Sequence, residues 1–102
     1  FDRAFERCDV LLGPTTPTPA FELGGKPDPL SMYLCDVYTV NAAIAGICAV
    51  SMPAGATSDP RPLPVAVQLQ APAFSEARLL RIARMLEVEL GSAEAVRVPS
   101  TV

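Results

Sequence analysis

The reactive side chains of this sequence are few, and their types exclude several chemistries. There is no histidine. Ser–His–Asp and Cys–His machinery both need an imidazole base, so neither is housed in these residues, and neither is a His-ligated zinc. The serines are Ser31, Ser51, Ser58, Ser75, Ser92 and Ser100, and none lies in a Gly-rich nucleophile turn. The single lysine, Lys26, is the one base a Ser–Lys pair would have, and no spacing brings a serine to it. Gly24-Gly25-Lys26 lacks both the spacing and the following Ser/Thr of a phosphate-binding loop. Cys8, Cys35 and Cys48 are odd in number and show no Cys-x-x-Cys spacing. They read as reduced, mostly buried thiols of a cytosolic chain, with no metal site. No catalytic residue and no metal ligand is expected in this segment.

Asp36 is the charge worth following. It lies in the mostly apolar run Met32-Tyr33-Leu34-Cys35-Asp36-Val37-Tyr38, which is helix-compatible. An acid there faces solvent, or it is a carboxylate held in a pocket to accept hydrogen bonds from a cationic ligand group. Thr15, Thr16 and Thr18 either place hydroxyls at a pocket rim or stabilise their own turns.

The elements that must position these groups follow from pattern and punctuation. Phe1 and Phe5 are i, i+4 neighbours, so residues 1–7 read as the tail of a helix. Cys8 to Leu12 reads as a short buried strand ending at Gly13-Pro14. Pro14, Pro17 and Pro19 then exclude helix and central strand, so residues 13–30 form one long, extended, ordered connection. Ser31 is placed to cap a helix from Met32. Asn41 to Gly46 reads as a second short helix, and Ala49 to Pro53 as a strand. Gly55 to Pro62 reads as a loop. Leu63 to Gln70 alternates, with Val65, Val67 and Leu69 on one face and Ala66, Gln68 and Gln70 on the other. These two strands predict an antiparallel hairpin. Ser75 to Gly91 brackets the clearest helix, with an apolar stripe of Leu79, Ile82, Ala83, Leu86 and Leu90. Arg78, Arg81 and Arg84 line its solvated face. Residues 92–102 form a weakly specified tail. The class is α/β, a mixed sheet flanked by helices.

Composition sharpens this. Half of the 102 residues are hydrophobic, 19% are charged, and the formal net charge is −3. Such a chain is neither disordered nor basic enough for direct nucleic-acid binding. No apolar run is long enough to span a membrane, and no signal peptide is visible. The high apolar fraction and eleven prolines predict apolar faces completed by a partner or by more of the same chain. Since residue 1 is Phe, a fragment is expected, and alone it should aggregate or stay molten.

Asp9-Val10-Leu11-Leu12-Gly13-Pro14-Thr15-Thr16-Pro17-Thr18-Pro19-Ala20-Phe21 resembles the late core of the amidase signature family. The run Asp28-Pro29-Leu30-Ser31-Met32-Tyr33-Leu34-Cys35-Asp36-Val37-Tyr38-Thr39-Val40 is narrower. It is similar to the A subunits of the aminoacyl-tRNA amidotransferases, of the glutamyl-tRNA(Gln)/aspartyl-tRNA(Asn) type. Ala45-Gly46, Ala49-Val50-Ser51-Met52-Pro53-Ala54-Gly55, Leu63-Pro64-Val65-Ala66-Val67-Gln68-Leu69 and Pro72-Ala73-Phe74-Ser75-Glu76 extend the likeness over residues 5–90. Ala43 and Cys48 depart from the family's usual Asn and Pro, and Ala66 and Ala71 stand where glycines are common.

The resemblance implies a C-terminal segment of one amidase domain spanning residues 1–102. It implies a parent that hydrolyses glutamine through a Ser–cis-Ser–Lys triad lying upstream, which leaves this segment inactive alone. The ammonia would pass to a partner that amidates misacylated Glu-tRNA(Gln) or Asp-tRNA(Asn). By the same resemblance, the partners are the rest of the domain and the B and C subunits. The tRNA is met through the complex, ATP and Mg2+ are used by the partner subunit, no cofactor is held here, and the setting is cytoplasmic or organellar. By position, Asp36 is the acid that contacts the α-amino group of glutamine. Two other readings stay open: a stand-alone amidase of simple amides, and a non-catalytic partner-binding module.

Overall fold

A computed structural model describes residues 1–26 and 28–91, and the expected tail from Ser92 lies outside them. The element order is α1 (Asp2–Phe5), β1 (Leu11–Pro14), α2 (Pro29–Leu34), α3 (Val40–Ala45), β2 (Cys48–Ala56), β3 (Pro64–Ala71) and α4 (Glu76–Leu90). The three strands form one sheet in the order β1-β3-β2. The α/β class holds, and both described pairings are antiparallel. The predicted β2–β3 hairpin forms, with Val50 opposite Leu69 and Met52 opposite Val67.

The strand alternation sorts the sheet into two faces. Cys48, Val50, Met52, Val67, Leu69 and Ala71 share one face and pack under Leu79, Ile82, Ala83 and Leu86 of α4. This is the core, and α4 is legible in the sequence because its apolar positions repeat at helical spacing. Leu90 departs from the predicted stripe and is exposed. Gly91 ends α4 in the left-handed conformation (φ 61°), as Gly46 ends α3 (φ 70°). A residue without Cβ takes that conformation at no steric cost. The methyl of Ala71 is fully buried in this core.

Several expectations need correction. β1 is not a buried strand over Cys8–Leu12. It starts at Leu11, runs through Gly13 and Pro14, and is an edge with Leu12 exposed. Pro14 is tolerated because it ends an edge strand and has only one neighbour to satisfy. β2 extends past Pro53 to Ala56 through a register break at Pro53/Gly55, the kind of bulge that admits proline into an edge strand. Cys8 is exposed, and Cys35 and Cys48 are half-buried, so the thiols are less buried than expected. The single Cys48 S–H proton lies between the carbonyls of Pro72 (3.2 Å from Sγ) and Ala71 (3.5 Å). Phe1 and Phe5 do stack, 6.2 Å between centroids.

The cap of α2 is also corrected. Asp28, not Ser31, is the N-cap, with Pro29 in the first turn. The Asp28 carboxylate accepts from the backbone N–H and the hydroxyl of Ser31, each at 3.0 Å. The Ser31 N–H first, then its hydroxyl, hold the Asp28 carboxyl below the usual carboxylate range, with desolvation opposing. A lowered native pKa gives stability that is present above the unfolded value and lost as pH falls through the native one. We therefore predict that Asp28→Ala, made in the full-length protein, frays α2 at neutral pH, read as faster amide exchange at Ser31. In the wild type the same fraying appears only below the ordinary carboxylate range, and equal exchange in the two proteins at neutral pH would refute the cap.

Candidate functional site

The face of the sheet away from α4 is the unusual one. In a half-buried sheet the second face is ordinarily solvated, but here Gln68 and Gln70 are each only 6% exposed. Buried carboxamides must find partners, and these do. The Gln68 amide nitrogen donates to the carbonyls of Tyr38 (2.6 Å) and Pro14 (3.0 Å). The Gln70 amide nitrogen donates to Gln68 Oε1 (3.2 Å) and to Asn41 Oδ1 (3.1 Å). Carbonyl oxygens only accept, so this pattern fixes which end of each carboxamide faces which partner. A little further along, the Thr15 and Ser51 hydroxyls meet at 2.8 Å, and Thr15 N–H donates to Ala66 O.

The glutamines and their partners border a pocket of about 150 Å³, lined by Leu11, Leu12, Gly13, Pro14, Tyr38, Asn41, Gln68 and Gln70. Another depression of similar volume lies along the proline-rich loop, where Thr16, Pro17, Thr18 and Pro19 face Val65 and Ala66. The expected rim threonines thus divide. Thr15 joins the sheet face, whereas Thr16 hydrogen-bonds Thr18 O (2.8 Å) and serves its own turn.

Asp36 is placed differently from its expected setting. It is not in a helix but in the turn between α2 and α3, and it is exposed. Its backbone organises that turn. Asp36 N–H donates to Tyr33 O, and Asp36 O accepts from Thr39 N–H, Val40 N–H and the Thr39 hydroxyl. Its carboxylate forms no ion pair among the described residues, where the pairs are Arg78–Asp9 and Arg84–Glu87. Asp36 does not line the pocket, but Tyr38, two residues on, does. Lys26, the only lysine, sits 5.6 Å from the centroid of the Phe21 ring, a cation–π contact. Arg78, Arg81 and Arg84 are exposed as expected. The described residues contain no group of three or more His, Cys, Asp or Glu able to hold a metal ion. No described helix is long and apolar enough to cross a membrane.

Gln68, Gln70 and Asn41 are site residues that sequence reasoning misses. The alternation sets both glutamines on the face away from the valines. The available signal is that two glutamines spaced by two, in a strand otherwise apolar, mark a polar layer that something else covers.

A proline-rich loop and an acid-bearing turn, laid against the glutamine face of an antiparallel sheet, form one corner of an amidase fold. The chain belongs to the amidase family, whose model matches residues 1–80. Among curated proteins it is similar to the A subunit of the glutamyl-tRNA(Gln) amidotransferase of Rhodopirellula baltica, 51% identical over 89 residues, covering 86% of this chain and 17% of that protein. The protein of the same description from Salinibacter ruber is 54% identical over 83 residues, covering 80% and 16%. In three dimensions it matches the crystal structure of the A subunit of the glutamyl-tRNA(Gln) amidotransferase from Thermotoga maritima. The TM-score is 0.78 at 38% identity, over 84% of this chain and 18% of that one. The chain thus spans about a sixth of the length of these curated relatives.

Proposed function

We propose that this segment is the C-terminal corner of the glutamine-hydrolysing A subunit of a tRNA-dependent amidotransferase. The observation that carries the reading is the sequence identity to A-subunit proteins, 51% in one case, together with an exposed, unpaired carboxylate at Asp36 among the described residues. In this reading the Asp36 carboxylate accepts hydrogen bonds from the α-ammonium of glutamine. An ion pair of that kind favours a free amino acid over a plain amide, because only the free amino acid brings an ammonium to the acid. Cleavage of the side-chain amide belongs to a Ser–cis-Ser–Lys triad outside this segment, so the segment alone is inactive.

The ammonia released passes to B and C partner subunits, where ATP and Mg2+ serve to activate misacylated Glu-tRNA(Gln) or Asp-tRNA(Asn). The tRNA is met through that assembly, in keeping with the net charge of −3 on this chain. The compartment is one where tRNA is charged, the cytoplasm in a bacterial cell.

The test uses the full-length protein with its partner subunits. Ammonia release from glutamine, and ATP-dependent conversion of Glu-tRNA(Gln) or Asp-tRNA(Asn) to the amidated form, are the expected results. Hydrolysis of simple amides as fast as glutamine, with no tRNA product, would make the parent a stand-alone amidase instead. No amide hydrolysis at all would leave only a partner-binding role.

A further inference from the structure

We propose that Gln68 is a positioning residue for Asp36, and that its carboxamide sets where the ammonium-binding acid stands relative to the sheet. The inference rests on the reading of Asp36 given above. The bonds within the Asp36 turn are all short-range: Asp36 N–H to Tyr33 O, Val37 N–H to Leu34 O, and Thr39 and Val40 N–H to Asp36 O. They make the turn one unit but do not say where it sits. The Gln68 bond to Tyr38 O does, at 2.6 Å, because it ties that unit to the central strand of the sheet.

The same amide nitrogen holds Pro14 O at 3.0 Å, so one side chain clamps the acid-bearing turn and the start of the proline-rich loop together. Gln70 completes the relay. It holds Gln68 Oε1 from one side and Asn41 at the start of α3 from the other. The turn is therefore pinned at Tyr38 and again, three residues later, at Asn41. A small displacement of a binding group from its productive position is expensive in rate, on the order of 100-fold for 1 Å. Nothing else in the described residues links this turn to β3 by a side-chain hydrogen bond.

The experiment is done in the full-length protein with its partner subunits. Gln68→Glu keeps the shape of the side chain and replaces the –NH2 donor with an oxygen facing two carbonyls. Each protein is assayed with glutamine and with 4-carbamoylbutanoate, which is glutamine without its α-amino group. Gln68→Glu is expected to lower kcat/KM for glutamine by roughly 10- to 100-fold, mainly through KM, while 4-carbamoylbutanoate changes less than about threefold. Equal losses on both substrates would mean general damage to the fold and would overturn the proposal.

If Gln68 acts through Asp36, the double variant with Asp36→Asn has the substrate preference of Asp36→Asn alone. If Asp36→Asn collapses the preference and Gln68→Glu does not, positioning by Gln68 is refuted and the Asp36 reading stands. If Asp36→Asn leaves the preference intact, both fall. Should Gln68→Glu not accumulate as folded protein, Asn41→Ala decides. In that variant the Gln70 amide keeps its bond to Gln68 Oε1, so the sheet face is not left without a partner. A selective drop for glutamine of about threefold supports the relay, and an unchanged preference overturns it.

Discussion

Asp36→Asn in the full-length protein is expected to lower kcat/KM for glutamine by roughly 10- to 100-fold, the rate equivalent of about 1.5–3 kcal/mol for a hydrogen bond to a charged group. The substitution keeps the size and shape of the side chain, removes its charge and replaces one acceptor oxygen with an –NH2 donor. The α-ammonium it would hold does not change during amide cleavage. Ground state and transition state therefore lose the same binding, so the loss falls on KM and leaves kcat close to the wild type. The fold should not suffer, because the Asp36 carboxylate is exposed and forms no ion pair among the described residues. The turn around it is organised by the Asp36 backbone, which the substitution leaves in place. Unchanged glutamine kinetics, with an unchanged thermal midpoint, would remove Asp36 from the site.

The 102-residue chain produced by itself is expected to bind a hydrophobic dye and to melt without a cooperative transition. The reason is a shortage of interior. Among the described residues only Ala42, Met52, Leu69, Ala71, Leu79 and Ala83 are buried apolar side chains, and no large side chain is completely enclosed. Meanwhile Leu23 and Phe74 are almost fully exposed, and Leu30, Tyr33, Ile44, Leu80, Met85 and Val88 are each more than half exposed. Exposed apolar side chains occurring singly are ordinary; this many on so small a chain are the face of a larger core. The outer edges of β1 and β2 also carry unpaired backbone groups in the three-stranded sheet. The decisive measurements are calorimetry and dye binding on the isolated chain at several concentrations. A sharp, concentration-independent melt of a monomer would refute this account and favour a self-sufficient binding module.

The parts of this fold that are legible in the sequence are those where one local rule acts alone. α4 declares itself through Leu79, Ile82, Ala83 and Leu86, and its end through Gly91. The β2–β3 hairpin declares itself through alternating valines. The cap of α2 is misread from sequence because two signals overlap. Asp28 before Pro29 is a stronger start than Ser31, since proline suits the first helical position and its missing N–H costs nothing there. Asp36 reads as helical because its neighbours have helical composition. What ends α2 after Leu34 is a chain of overlapping turn bonds from Cys35 to Thr39, which no residue type in that stretch advertises. The least legible feature is the glutamine layer, since its burial depends on a turn some thirty residues away, as the Gln68–Tyr38 bond shows. Nothing in the structure explains why bulky Phe74 adopts a positive φ of 63° with its ring in solvent.

The strand order also has a consequence for synthesis. Among the described strands β1 is made before its partner β3, whose Gln70 pairs with Leu11 and follows it by about 60 residues. At 5–20 residues per second, the nascent edge waits roughly 3–12 s for its neighbour. During that wait Leu11 and Leu12 lack their β3 ladder, and the stretch beside them is the local safeguard, because Pro14, Pro17 and Pro19 each lack an N–H donor and make a poor template for mispairing. The β2–β3 hairpin, by contrast, closes as soon as it is made. Among the described strands, the last to appear is thus the one that recruits the first.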